Sequence, residues 1–155
     1  MTFKVLIYAH RLPGISPEEF KQHYEAHIDL FKRLVGDDFP LSHRRIYLAR
    51  NTVESAPDGA SGRNATTPAT VIVGQQSDYE YDCLAEMTFA DRANWDACTA
   101  KVLSPEINAL IAADEDKFYD RSKTGVVVVG DVTETVKWDE PAWDLGIVCH
   151  LKLCA

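Results

Sequence analysis

The stretch Leu12 to Val35, LPGISPEEFKQHYEAHIDLFKRLV, constrains the fold more than any other part of the chain. Ser16 is placed to cap a helix, Pro17 suits the first helical position, and Glu19 stands where a capping-box carboxylate reaches back. From there Phe20, Tyr24, His27, Ile28, Phe31 and Leu34 recur at intervals of three and four, drawing an apolar stripe down one face. The helix is expected over Pro17 to about Val35, ended by Gly36-Asp37-Asp38. His27 breaks the stripe, because it puts an imidazole where the pattern asks for a hydrophobe. It is either a core histidine satisfied by a backbone carbonyl or an acid/base group on a cavity wall.

At 155 residues the chain is long enough for one domain with a single sizeable core. A net charge of −8 argues against nucleic acid as a partner, since phosphate binding needs a basic surface. No apolar run is long enough for a helical membrane span, and the first residues, MTFKVLIYAHRLPG, read as a strand rather than a leader. Cys83, Cys98, Cys149 and Cys154 show no metal-ligand spacing, so reduced thiols and a cytoplasmic location are expected. Asn64-Ala65-Thr66 is a formal glycosylation sequon that matters only if the chain is secreted.

The remaining elements follow in order. Phe3 to His10 is a short strand rich in β-formers. Ser42 to Arg50 alternates as a second strand, with Arg44, Ile46 and Leu48 opposite His43, Arg45, Tyr47 and Ala49. Asn51 to Ser77 is a long segment of Ala, Ser, Gly, Asn, Thr and Pro, either a lid or slack, with Val71-Ile72-Val73 as an edge strand or a pin. Tyr79 to Phe89 is a third strand with Tyr81, Cys83, Ala85 and Met87 on one face. Its other face carries Asp82, Leu84, Glu86 and Thr88, and two carboxylates beside a leucine do not make a plain core face. Asp91 caps a helix presenting Trp95, Cys98 and Val102. Ser104-Pro105-Glu106 restarts it with Ile107, Leu110 and Ile111, and it frays through Asp114-Glu115-Asp116. Thr124 to Val136 is the fourth strand, with a bulge at Gly130. After it, residues 137–155 form a C-terminal extension containing Trp138, Trp143 and the β-prone run Leu145 to Leu153, which docks either on its own sheet or on a partner subunit.

The order βαββαβ defines an α+β, ferredoxin-like fold: a four-stranded antiparallel sheet with helices on one face. The uncovered face must be buried against something, commonly a second copy of the chain.

Among the titratable groups, Glu86 and Asp82 gain raised pKa values and acid function if their face lines a pocket. Otherwise they are surface groups. His10 is either solvated at a strand end or catalytic, and Tyr8 either offers a hydroxyl to a substrate carbonyl or fills core. His23 and His27 stand four apart, a spacing zinc can use, yet the HExxH pattern is missing and no metal site is expected. Tyr24, Phe31, Phe118 and Trp95 suit core packing and the walls of an aromatic pocket equally well. No phosphate loop, nucleophile elbow or dinucleotide fingerprint is present.

Gly14, Ser16 to Phe20, Tyr24, Glu25 and His27 resemble the opening motif of the EthD-type family of dimeric α+β barrels. Tyr81, Asp82, Ala85, Glu86 and Phe89 resemble that family's third strand, and Ser104-Pro105, Asp114 and Phe118 the end of its second helix. The resemblance spans residues 3 to 136, so residues 1–136 are expected to form the domain. It departs at the long 51–77 loop and at the tail, and long versions resemble members from fungal natural-product pathways. The resemblance implies a homodimer whose two sheets close into a barrel, with a pocket between each sheet and its helices or within the barrel. It implies no metal and no cofactor, and a lyase or cyclase acting on an aromatic or polyketide-derived metabolite by decarboxylation, dehydration or aldol-type ring closure. In that scheme His27 takes a proton beside a carbonyl, Glu86 or His10 returns one, and tyrosine hydroxyls steady the enolate-like oxygen. Tyr8, Tyr24, Phe31, Asp82 and Phe118 are the expected substrate contacts. A cofactor-free anthrone-type oxygenase and a non-catalytic dimeric binding protein are the alternatives; haem binding, found elsewhere in the superfamily, has no supporting residue pattern.

Overall fold

The computed structural model describes residues 2–137. Four strands, β1 (Phe3–Ala9), β2 (Ser42–Tyr47), β3 (Cys83–Phe89) and β4 (Gly125–Val128), form one antiparallel sheet in the order β2-β3-β1-β4. Three helices, α1 (Pro17–Val35), α2 (Arg92–Val102) and α3 (Pro105–Glu115), complete the ferredoxin-like α+β fold.

Helix α1 starts as its sequence dictates. The Glu19 amide donates to Ser16 Oγ (3.1 Å) and the Ser16 amide to Glu19 Oε2 (2.9 Å), closing the capping box, a cap contributing about 1 kcal/mol. Gly36 ends the helix at φ 59°, a left-handed value that costs glycine least. Phe20, Tyr24, His27, Ile28, Phe31 and Val35 are buried, so the apolar stripe packs as expected, with Val35 rather than Leu34 sealing its last turn. On α2, Asp91 Oδ1 accepts from the Asn94 amide (2.9 Å), and Trp95, Cys98 and Val102 join the core with Phe89 and Ile111. Leu110, expected on the apolar side of α3, is exposed.

Strand parity decides which residues meet the helices. Cys83, Ala85, Met87 and Phe89 are buried, while Leu84, Glu86 and Thr88 between them are not. In register with that second set stand Lys4, Leu6 and Tyr8 on β1 and Ser42, Arg44 and Ile46 on β2. These residues make up the face of the sheet that the helices leave open.

β1 ends one residue short of its expected end, and the other three strands are cut back further. β4 stops at Val128 because Val128 pairs with Val5, and only two residues of β1 remain beyond that register; the last bond is from the Val129 amide to the Lys4 carbonyl (3.0 Å). β2 and β3 end beside Asp82, whose main chain still bonds both neighbours (its amide to Ala9 O at 2.8 Å, the Leu48 amide to its carbonyl at 3.0 Å) while its side chain turns to two arginines. Its carboxylate accepts from the Arg11 amide (2.9 Å), meets Arg11 Nη1, and lies 2.9 Å from Arg50 Nε. Before Asp82, Gln76–Tyr79 is a short 3₁₀ turn rather than strand.

The same cluster fastens the long loop. Arg11, 1% exposed, donates to Ile15 O (2.9 Å), Arg63 O (2.9 Å) and Thr67 Oγ1 (2.7 Å). Arg63 in turn pairs with Asp120, and Arg50 bridges to Ala69. Val71-Ile72-Val73 forms no strand; Ile72 and Val73 are exposed. The expected features of the tail, including Cys149 and Cys154, lie outside the described residues.

Candidate functional site

A cavity of about 360 Å³ opens between the helices and the covered face of the sheet, within the size range of small-molecule sites. Ile7, Ile28, Phe31, Met87, Val102, Ile111 and Val126 give it apolar walls, and its polar lining is Tyr24, His27, His43, Glu115, Tyr119, Arg121 and Thr124.

His27 reaches the cavity from the middle of α1, with its side chain 7% exposed. Its Nδ1 lies 2.9 Å from Asp114 Oδ2, on the last turn of α3. An ionised carboxylate can only accept, so the proton of a neutral His27 belongs on Nδ1, leaving Nε2 with a free lone pair. That Nε2 lies 3.7 Å from Glu115 Oε1. Phe118, fully buried, backs the imidazole at a ring separation of 5.5 Å.

The charges of this group are set by burial. Burial pulls the His27 pKa below 6.5, and Asp114, which favours the imidazolium, offsets only part of the effect. Burial also works against ionisation of Asp114, but hydrogen bonds from Lys117 and His27 outweigh it and hold the carboxyl below its ordinary range. Glu115 has no such partner. Burial pushes it up to about 7, Arg121 at 3.8 Å opposing and the carboxylates of Asp116 and Asp114 adding to the rise. Near neutrality the site therefore pairs an unprotonated imidazole with a carboxyl that still carries a proton for much of the time. Burial also keeps the cavity tyrosines protonated: Tyr119 is raised to about 12 and Tyr24 well above its usual value.

His43, from β2, completes the polar lining. Both its ring nitrogens are buried and have no hydrogen-bond partner, and burial with the nearby Arg45 charge lowers its pKa to about 4. An unsatisfied buried polar atom costs on the order of 1–3 kcal/mol.

The expected site residues divide between two places. His27, Tyr24 and Phe31 meet at the cavity, with Phe118 directly behind. Glu86 does not join them: with Met87 facing the cavity, strand parity turns Glu86 to the open face, where it pairs with Lys4 (3.5 Å). Tyr8 shares that face, packed edge-on against Tyr81 at 5.2 Å, and His10 lies past the end of β1 against the same ring at 6.4 Å. Asp82 is consumed by Arg11 and Arg50. His23 is exposed and stacks on Phe118 at 5.8 Å; no cluster of metal-binding side chains occurs among the described residues. No residue of the 51–77 loop lines the cavity. Glu25, the motif's other titratable residue, is outside the cavity lining and is bound to Arg45 (2.7 Å) and the Tyr47 hydroxyl (2.6 Å).

Sequence reasoning missed Glu115, His43, Tyr119 and Arg121, and saw Asp114 only as part of a resemblance. One signal was there to be read. Asp114, Glu115 and Asp116 crowd the C-terminal end of a helix, where the macrodipole disfavours negative charge.

Fold and site together define a ferredoxin-like α+β protein with an acid/base cavity between sheet and helices. The chain belongs to the EthD domain family, whose model matches residues 12–122. Similar solved structures include the solution structure of a hypothetical Arabidopsis thaliana protein, at 13% identity and a TM-score of 0.44, covering 86% of this chain and 91% of that one. Another is the crystal structure of SnoaB, a cofactor-independent oxygenase from Streptomyces nogalater, at 13% identity and a TM-score of 0.39, covering 90% of this chain and 95% of that one. No curated protein sequence matches the chain. Among the described residues no helix is long and apolar enough to cross a membrane.

Proposed function

We propose that this protein is a lyase or cyclase that moves a proton on a small aromatic or polyketide-derived molecule. One observation carries the reading: the His27 ring is held by Asp114 at 2.9 Å so that Nε2 faces an apolar cavity, 3.7 Å from the half-protonated Glu115. Two groups at that separation can both reach the same substrate atom, or neighbouring atoms, at hydrogen-bond distance.

In the proposed reaction His27 Nε2 removes a proton next to a substrate carbonyl, or from a substrate hydroxyl. Asp114 keeps the ring oriented and steadies the imidazolium as it forms. Glu115, in place of the expected Glu86 or His10, delivers a proton to the departing or newly forming oxygen. The Tyr24 and Tyr119 hydroxyls are available as donors to an enolate-like oxygen. This scheme draws only on the chain's own side chains. Dehydration, decarboxylation and aldol-type closure all use it.

The proposed assembly is a homodimer joined through the open sheet face, where Ile46 and Val127 are exposed beside Leu6 and Leu84. The proposed domain is residues 1–136, with the tail as an extension.

The test is to incubate the protein with a panel of aromatic polyketide intermediates and follow them by mass spectrometry and an oxygen electrode. Loss of water or carbon dioxide, or an isomeric ring closure, should depend on His27, and His27→Ala should lower turnover by roughly 10² to 10⁴-fold while the ligand still binds. Oxygen consumption with substrate would instead assign an anthrone-type oxygenase. Binding without any conversion, unchanged in His27→Ala, would assign a binding protein.

A further inference from the structure

The proposed reaction leaves His43, Arg121 and Thr124 of the cavity's polar lining unused, and of these three only His43 has buried polar atoms without a partner. It comes from β2, across the cavity from the helices that supply His27 and Glu115. The Tyr24 ring lies 6.4 Å from the His27 ring and 6.3 Å from the His43 ring, so both imidazoles address the same small space. Arg45 donates to the His43 backbone carbonyl (2.9 Å), which fixes the main chain but leaves both ring nitrogens buried without a partner. Buried polar atoms are nearly always paired, so an unpaired one calls for a partner, and on the wall of a cavity a ligand is in position to be that partner.

Its surroundings narrow the class of ligand. The His43 ring stays uncharged at neutral pH, so it presents one N–H donor and one acceptor nitrogen rather than a cation. Asp114, and Glu115 whenever it is ionised, add negative charge nearby. Arg121, the cation among the lining residues, is committed to Asp116 at 2.9 Å and Glu115 at 3.8 Å. An anionic group on the ligand finds no free cation there. A hydroxyl, which both donates and accepts, matches a neutral imidazole, and the surrounding aliphatic and aromatic walls match a flat ring.

We propose that His43 is a specificity-determining residue that anchors a hydroxyl of an uncharged, planar phenolic substrate in the cavity. This rests on the cavity being the substrate site, names the substrate class for it, and favours dehydration or ring closure over decarboxylation, whose substrate carries a carboxylate.

The experiment is calorimetric binding of 2-naphthol, naphthalene and 2-naphthoate to the wild-type protein and to His43→Leu, His43→Gln and His27→Ala. The wild type should bind 2-naphthol about tenfold tighter than naphthalene, the gain from one well-made buried hydrogen bond, and 2-naphthoate most weakly. His43→Leu should erase the preference for the hydroxyl while keeping naphthalene affinity, which also shows that the pocket is intact. His43→Gln should restore part of the preference, and His27→Ala should keep it. An undiminished preference in His43→Leu, or tightest wild-type binding of 2-naphthoate, overturns the assignment of His43 and leaves the reaction proposal standing. If none of the three probes binds the wild type, both the anchor and the cavity as an aromatic site are overturned.

Discussion

His27 on α1 and Asp114 on the last turn of α3 meet at 2.9 Å through Nδ1 and Oδ2. The contact joins residues 87 positions apart and turns a histidine from an otherwise apolar stripe into an oriented base. A histidine satisfied by a backbone carbonyl would lack the negative charge that steadies an imidazolium. Asp114 supplies it, and is itself held ionised by Lys117 (2.9 Å).

Glu115 sets the alkaline limit of the site. Its folded pKa of about 7 lies above the usual 4.5, so the acid form is lost as pH rises through neutrality. The rate profile should therefore rise as His27 loses its proton below pH 6.5 and fall again near pH 7, and Glu115→Gln should abolish the falling limb. Because the folded pKa is the higher one, stability conferred by the protonated form is full below 4.5 and is lost as pH climbs through 7. Thermal melts at pH 8 should show Glu115→Gln more stable than wild type, by up to roughly 3 kcal/mol. A variant no more stable than wild type at pH 8 contradicts the burial of this carboxyl.

His43 acts in the opposite direction. Its pKa is lowered from 6.5 to about 4 in the folded chain, so the unfolded chain takes up the proton first, and stability falls as pH drops from 6.5 toward 4. His43→Leu should flatten that part of the pH–stability curve, a difference of up to about 3 kcal/mol by pH 4. Urea titrations of both proteins across this range measure it, and parallel curves would show that the ring is not buried as described.

Asp82 is a structural anion. Replacing it with alanine leaves the guanidinium groups of Arg11 and Arg50 buried without their counter-charge, which typically costs about 3–5 kcal/mol. The loop should loosen with it, since Arg11 also holds Arg63 O and Thr67 Oγ1. Limited proteolysis of Asp82→Ala should cut within 51–77 at protease levels that spare the wild type. Equal resistance would mean that the cluster does not tie the loop down.

Local rules made the helices legible. Ser16 with Glu19, Asp91 and Ser104-Pro105 each mark a start, and three- and four-residue spacing fixes the buried side of α1. Strand ends were less so, because they depend on partners: β4 ends where β1 begins, and β2 ends where Asp82 turns to its arginines. Glu86 stands apart from His27 for a related reason. Alternation puts Glu86 opposite Met87, but which of the two faces meets the helices is a tertiary fact. His27 stood out because it interrupts a pattern. His43 did not, since in an alternating edge strand a histidine looks like any other half-buried residue. The carboxylates of α3 were visible as a run of acids, and only packing against α1 shows that two of them address His27.

The most direct test needs no substrate: long-range ¹⁵N–¹H correlation of the histidine rings across pH, with His27→Gln to assign the signals. The account predicts a His27 ring neutral at pH 7, protonated on Nδ1, with a pKa below 6.5 that falls further in Asp114→Ala. A ring carrying its proton on Nε2, or an imidazolium at pH 7, would contradict His27 as the base.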